Sequence, residues 1–82
     1  MFWMYILKSE ETDKYYIGST SDLEDRLKRH NDGRSLYTKS GIPWKLVHFE
    51  SFETRSEAVR REKQLKSWKN RARLESLFTE HS

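Results

Sequence analysis

The sequence predicts an α+β domain in which helices pack on a small, mainly antiparallel sheet, in the order ββαβαα. Three observations predict it. Two tyrosine-bearing apolar fragments, Trp3-Met4-Tyr5-Ile6-Leu7 and Tyr15-Tyr16-Ile17-Gly18, flank the polar run Ser9-Glu10-Glu11-Thr12-Asp13, which is the pattern of a β-hairpin. Two capping-box patterns, Ser21-Asp22-Leu23-Glu24 and Thr54-Arg55-Ser56-Glu57, each precede apolar residues at helical spacing. Between them, Trp44 to Phe52 alternates as a strand does.

The first strand is expected over Phe2 to Lys8 and the second over Lys14 to Gly18. Tyr15 and Tyr16 are adjacent, so one ring points to each face of the sheet. Ser21 is expected to cap the first helix, from about Asp22 to Asn31, with Leu23 and Leu27 as its buried stripe and Gly33 as its terminator. Arg34 to Pro43 is polar, punctuated by Gly41 and Pro43, and reads as a loop. In the third strand Leu46, His48 and Glu50 are expected on one side, Val47 and Phe49 on the other. The second helix should start at Thr54 and reach about Trp68. A third should follow, with Leu74, Leu77 and Phe78 as its apolar stripe.

Eighty-two residues make one domain, 1–82, with a small core. Apolar residues are 34% of the chain but aromatics are 13%, so a few large rings carry much of the burial. The chain has no cysteine, which excludes disulfides and thiolate metal sites. No apolar run approaches the ~20 residues of a spanning helix, and the apolar start is too short for a signal peptide, so the expectation is a soluble cytoplasmic protein with no membrane partner. The net charge is only +3, but it is unevenly spread. From Arg55 to Arg73, eight Lys/Arg face two acids, with Trp68 among them. Such clustering points to a polyanion, most often nucleic acid; the plainer alternative is a solvated helix face. Within the run Arg60, Arg61, Lys63, Lys66 and Lys69 are candidate phosphate contacts, joined by Lys39 from the loop. Binding through them would be salt-dependent.

Glu62 is the most telling single residue. It lies four residues after Ala58, three after Val59 and three before Leu65, on the inward stripe of the second helix. An inward carboxylate needs a cation or several donors; a structural salt bridge is the ordinary explanation. Arg26 and His30 are i, i+4 beside Leu23 and Leu27. A guanidinium there suits a phosphate, although for Arg26 taken alone ordinary surface charge is the better explanation, and His30 is explained as a helix-end histidine favoured by the macrodipole. Tyr5 and Tyr16 are common strand residues in their own right. Other chemistries fare poorly. Nucleophile elbow and phosphate-cradling glycine loop are absent, and His30, His48 and His81 lack zinc-ligand spacing.

Taken together these residues resemble the GIY-YIG nuclease family, in particular its small stand-alone bacterial members. Tyr16-Ile17-Gly18 is the YIG element, and Trp3-Met4-Tyr5 keeps the tyrosine of the GIY element. Asp22 to His30 is similar to the family's arginine-bearing helix, and Ser56 to Lys66 to its metal-binding helix. Ser19 follows the YIG element, Tyr37-Thr38-Lys39 occupies the loop where other branches carry a lysine or histidine, and Asn70 is the one candidate for a late asparagine.

The resemblance implies a three-stranded antiparallel sheet flanked by helices, and metal-dependent endonucleolytic hydrolysis of DNA phosphodiesters, including branched or damaged DNA. It implies Glu62 as ligand to Mg2+ or Mn2+, Arg26 on the scissile phosphate, and one of the two tyrosines, Tyr5 before Tyr16, positioning or deprotonating water; which phenol does what is not readable from the sequence. Tyr16 would bond water or phosphate, and His30 would relay a proton. Tyr5, Tyr16, Arg26 and Glu62 should then converge on one concave surface. The rival reading is a non-catalytic nucleic-acid-binding module using the basic helices. The oligomeric state is not readable.

Overall fold

The computed structural model describes residues 1–79, which leaves His81 outside the described residues. It contains β1 (Phe2–Ser9), β2 (Tyr15–Thr20), α1 (Leu23–Asn31), a 3-10 turn at Lys39–Gly41, β3 (Trp44–Phe52), α2 (Arg55–Lys66) and α3 (Arg71–Glu75). The three strands form an antiparallel sheet in the order β2-β1-β3, flanked by helices. This is the expected α+β architecture and element order.

The central strand explains the apolar opening of the chain. β1 pairs on both edges and is covered on both faces, so Met4, Tyr5, Ile6 and Leu7 are all buried in succession. Alternate residues feed two cores. Met4 and Ile6 pack with Leu65 of α2 and Leu74 of α3. Tyr5 and Leu7 pack with Trp44, against Leu23 and Leu27 of α1. Tyr15 joins the first core and Tyr16 the second, one ring per face as expected.

The hairpin is tied at Ser9. Its buried Oγ accepts from the N–H groups of Glu11 and Thr12 and donates to the carbonyl of Gly41. Asp13 closes the turn at φ 62°, a left-handed conformation that aspartate tolerates. α1 ends where the glycine predicts. Gly33 takes φ 77°, its N–H bonds the His30 carbonyl, and the Arg34 N–H bonds the Arg29 carbonyl, which together form a Schellman closure. The capping box at Thr54 is present in full, with Thr54 accepting from the Glu57 N–H and Glu57 reaching back.

Four expectations are corrected. The cap of α1 is Asp22, not Ser21. The Asp22 carboxylate accepts from the Asp25 N–H at 3.1 Å, while Thr20 accepts from the Asp22 N–H. A carboxylate one residue later caps as well as a hydroxyl and adds charge that favours the helix N-terminus. In β3, Leu46 does not share a face with His48. The pairing to β1 shifts between Ile6 and Leu7, so that Ile6 faces His48 and Leu7 faces Leu46. Val47 is the extra residue, and the bulge reverses the alternation before it. α2 stops at Lys66, with Ser67 as its C-cap. α3 is one short turn. Asn70 caps it by accepting from the Arg73 N–H, a structural use for the late asparagine.

One further side chain fixes how the layers meet. Asn31, at the end of α1, accepts from the Trp44 N–H at 2.6 Å and donates to the Trp44 carbonyl at 3.0 Å. It thereby acts as a strand partner where β3 begins. Asn31→Ala removes both bonds and should cost about 1–3 kcal/mol in urea denaturation. Asn31→Asp keeps the acceptor and should recover part of that loss. An unchanged midpoint in both variants would show that the clamp contributes nothing.

Candidate active site

The site begins with a glycine. Tyr5 and Gly18 are cross-strand partners, and the Tyr5 ring lies across the face of β2 at the position that has no side chain. A Cβ on Gly18 would sit 2.5 Å from the Tyr5 hydroxyl and 2.6 Å from its Cζ. The glycine therefore lets a phenol rooted in the central strand reach past β2 toward the open edge of the sheet.

There the hydroxyl meets α1. Tyr5 Oη lies 3.1 Å from His30 Nε2, and His30 Nδ1 lies 2.8 Å from the Oγ1 of Thr38. Thr38 is itself buried, and its carbonyl accepts from the Trp44 indole N–H at 2.7 Å. Tyr16 stands against the same imidazole, with ring centroids 4.8 Å apart, and tilts toward Tyr5 at 6.3 Å. The result is a buried hydrogen-bonded row, Tyr5–His30–Thr38, with Tyr16 as its outer wall.

Burial dominates the electrostatics of the row. It pushes the Tyr5 phenol well above its ordinary range, and the negative charges that Tyr16 and Glu62 can carry push the same way. Arg26 opposes the rise but does not reverse it. Tyr5 is therefore un-ionised at neutral pH. Burial, helped by the charge of Arg26, holds His30 below the usual histidine value, so the imidazole is neutral. A neutral ring offers one donor and one acceptor, which matches its two partners. Arg26 itself is only half-buried, but its Nε is enclosed and has no hydrogen-bond partner among the described residues. A guanidinium with an unsatisfied buried N–H beside a phenol and an imidazole is set to receive an anion.

Glu62 comes from the other layer. α2 packs on the opposite face of the sheet from the Tyr5 ring, with Ala58 and Leu65 buried beneath it. The Glu62 side chain is 17% exposed. Its Oε1 accepts from the Ser19 hydroxyl at 2.7 Å, and its Oε2 pairs with Lys66 at 2.5 Å. Ser19 adjoins Gly18, so the carboxylate is held at the same stretch of β2 that the Tyr5 phenol crosses, close enough for its charge to act on that phenol. The expected single concave surface thus takes a different form: Tyr5, Tyr16, Arg26 and His30 share the α1 face, and Glu62 approaches from the α2 face at the β2 edge. Ser19 and Thr38 hold Glu62 and His30. Sequence reasoning noted the positions of both but gave neither a partner.

The basic candidates separate. Arg61 grips Glu50 through Nε and Nη2, at 2.9 and 3.2 Å, and also bonds Gln64, so its fork is engaged within the fold. Lys66 neutralises Glu62. Arg60, Lys63, Lys69 and Lys39 are exposed and make no ion pair among the described residues. A cavity of about 480 Å³ on the α2 face, lined by Lys8, Asp13, Tyr15 and Glu75, offers little to a ligand. Three of its charged groups are already paired, Asp13 with Lys8 and Arg71, and Glu75 with Arg71 and the Tyr15 hydroxyl, and the two others, Glu10 and Lys45, are of opposite sign.

The profile of the GIY-YIG catalytic domain matches residues 1–75. The chain is 42% identical over 67 residues to a UPF0213 protein of Haloquadratum walsbyi, covering 80% of this chain and 74% of that one. It is 39% identical over 79 residues to a UPF0213 protein of Halobacterium salinarum, covering 95% of this chain and all of that one. The solution NMR structure of a UPF0213 protein from Bacillus halodurans superposes with a TM-score of 0.57 at 33% identity, covering 94% of this chain and 82% of that chain.

Two outcomes test this geometry. Gly18→Ala should cost about 1–3 kcal/mol by overpacking, and combined with Tyr5→Ala should cost less than the sum of the two; additive losses would mean that the two residues are not in contact. His30 gives a pH signature. Its folded value is depressed, so below about pH 6.5 the unfolded chain takes up a proton that the folded chain refuses. Stability should be level above that point and fall as pH drops below it, down to the folded value. His30→Gln should remove the slope between about pH 6.5 and 5 in thermal melts; an unchanged slope would assign it elsewhere.

Proposed function

The chain belongs to the GIY-YIG family, and from that premise we propose that it is a metal-dependent endonuclease that hydrolyses DNA phosphodiesters at the β2 edge. The observation that carries the reading is the Tyr5–His30–Thr38 row beside Arg26, whose enclosed Nε has no hydrogen-bond partner among the described residues. Each part has a use in phosphodiester hydrolysis.

Arg26 takes the scissile phosphate, which supplies the acceptor its Nε lacks. The Tyr5 phenol is too weak an acid to serve as a pre-formed tyrosinate. It works instead as a relay, taking a proton from the attacking water while passing its own to Nε2 of neutral His30. Thr38 fixes the ring by accepting from Nδ1–H, and the imidazole ends the step as the cation. Tyr16 bonds the water or a phosphate oxygen from the outer side. The water oxygen becomes bonded to phosphorus as the bond to the leaving oxygen breaks.

Glu62 suits a hard divalent cation. Its carboxylate is partly open and is held by Ser19, and a cation, the Lys66 ammonium, already sits on one oxygen. No cluster of three or more His, Cys, Asp or Glu with metal-binding geometry exists among the described residues. One carboxylate suffices for Mg2+ or Mn2+, which retain waters and take phosphate oxygens as ligands. Bound there, such an ion would supply charge stabilisation to the phosphate and the leaving oxygen. Among the described residues no helix is long and apolar enough to cross a membrane.

The test separates chemistry from folding and binding. Wild type should nick DNA only with Mg2+ or Mn2+. Glu62→Gln should lose that activity, keep DNA binding in EDTA and change stability by less than about 1 kcal/mol, because Lys66 is half-exposed and Ser19 keeps its acceptor. Tyr5→Phe should slow cleavage by about 10²–10⁴-fold. A wild type that binds DNA but never cuts it in either metal, with a large fall in melting temperature for Glu62→Gln, would favour the non-catalytic module.

A further inference from the structure

Two concavities flank Tyr16 and use its ring as their common wall. One, of about 200 Å³, is lined by Tyr16, Arg26, Arg29, His30, Arg34 and Ser35. The other, of about 190 Å³, is lined by rings, with Tyr15, Tyr16, Tyr37 and Trp44 among its walls. The first is lined by three arginines; the second is lined by four aromatic residues together with Thr12, Lys14, Ser40 and Gly41. Either is large enough for one small group, and neither for a duplex.

The segment between them is tied at one point and exposed at its tip. Thr38 is buried and bonded to His30, and its N–H bonds the Ser35 carbonyl. The two residues before it, Leu36 and Tyr37, are 90% and 93% exposed. An isolated exposed apolar residue needs no explanation, but two consecutive ones beside a cluster of arginines do. Arg29 and Arg34 are exposed and hold only local carboxylates, Asp25 at 3.1 Å and Asp32 at 3.5 Å, which a phosphate can outcompete. Cationic and aromatic surfaces side by side match the two halves of a nucleotide. A phosphate suits the guanidiniums, and a base released from its stack suits the rings.

Resting on the nuclease reading, we propose that Arg29 and Arg34 hold the phosphate next to the one cleaved, and that Tyr37 with Leu36 receives an unstacked base of the same strand, which makes DNA with unpaired bases the preferred substrate. The positive field needed here comes from α1 and the loop after it. The α2 run contributes less, because Arg61 and Lys66 are occupied within the fold. Tyr37 forms the accessible rim of the aromatic concavity and buried Trp44 its floor. A base entering there stacks on a ring without displacing any core residue.

The experiment compares two DNAs in EDTA: a duplex with one bulged 2-aminopurine, and the same duplex fully paired. Wild type should prefer the bulged DNA by about ten-fold or more and should quench the probe. Tyr37→Ala should lose both preference and quenching, whereas Tyr37→Phe should keep both. Arg34→Ala should weaken binding to both DNAs alike and lower the salt slope by about one. Equal affinity of the wild type for the two DNAs, absence of binding, or a preference that survives in Tyr37→Ala would overturn the proposal. Adding Mg2+ separates it from its premise. An intact preference without cleavage would sink the nuclease reading and leave the base site standing. Cleavage with an unaltered preference in Tyr37→Ala would do the reverse.

Discussion

A phenol lies across a strand at the one residue with room for it, and the arrangement of the whole site follows from that contact. Tyr5 belongs to the central strand, buried on both faces, where a polar tip has no natural outlet. Gly18 provides one. With a Cβ at that position the ring would have to turn back into the core, and its hydroxyl would lose His30. With the glycine, a side chain anchored by the central strand presents its hydroxyl at the edge of the sheet. The two helical layers then need only reach that edge, α1 with Arg26 and His30, α2 with Glu62 through Ser19. A constellation drawn from both faces of a sheet is thus held by one small gap in one strand.

This origin explains which parts of the site were legible. Tyr16, Gly18, Arg26 and His30 are close in sequence, and local spacing places them on one strand end and one helix face. Glu62 stood out because a carboxylate broke an apolar stripe, and α2 does bury Ala58 and Leu65 on either side of it. What escaped were the partners. Ser19, Thr38 and Asn31 are small polar residues of ordinary strand, loop and helix-end type, and their importance comes from groups 43, 8 and 13 positions away. No periodicity records such pairings. The bulge at Val47 was equally invisible, since Leu46-Val47-His48 is good strand sequence in either phase. The cap of α1 was misplaced by one residue because Ser21 and Asp22 are both competent caps, and Thr20 decides between them by accepting the Asp22 N–H.

The site also departs from what stability alone would select. A buried guanidinium N–H without an acceptor costs about 1–3 kcal/mol relative to a satisfied one. A buried imidazole held neutral loses stability in acid. A glycine within a strand has more freedom to lose on folding and no side chain to pack. None of these features helps the fold, and all three lie within reach of one hydroxyl. By contrast the rest of the polar interior is well satisfied: Ser9 makes three hydrogen bonds, and Asn31 closes both groups of Trp44. Local strain against a satisfied background is the pattern of a site shaped for a ligand.

Charge counted along the sequence and charge presented at the surface turn out to be different quantities. The run from Arg55 to Arg73 has the highest density of cations, yet much of it is consumed where it stands. Arg61 is forked onto Glu50, and Lys66 sits on Glu62. Arg71 joins Asp13 to Glu75, and Arg61 and Arg73 both lie over the Trp68 ring. A guanidinium stacked on an indole or bridged to carboxylates keeps its charge but has fewer free donors to give a phosphate. The shorter set Arg26, Arg29 and Arg34 carries less charge in total. It lines a concavity, holds at most one weak local partner each, and adjoins the only buried side-chain polar atom among the described residues that lacks a partner. Donor availability, more than charge density, is what an anion needs, and by that criterion the α1 face offers more free guanidinium donors than the longer α2 run.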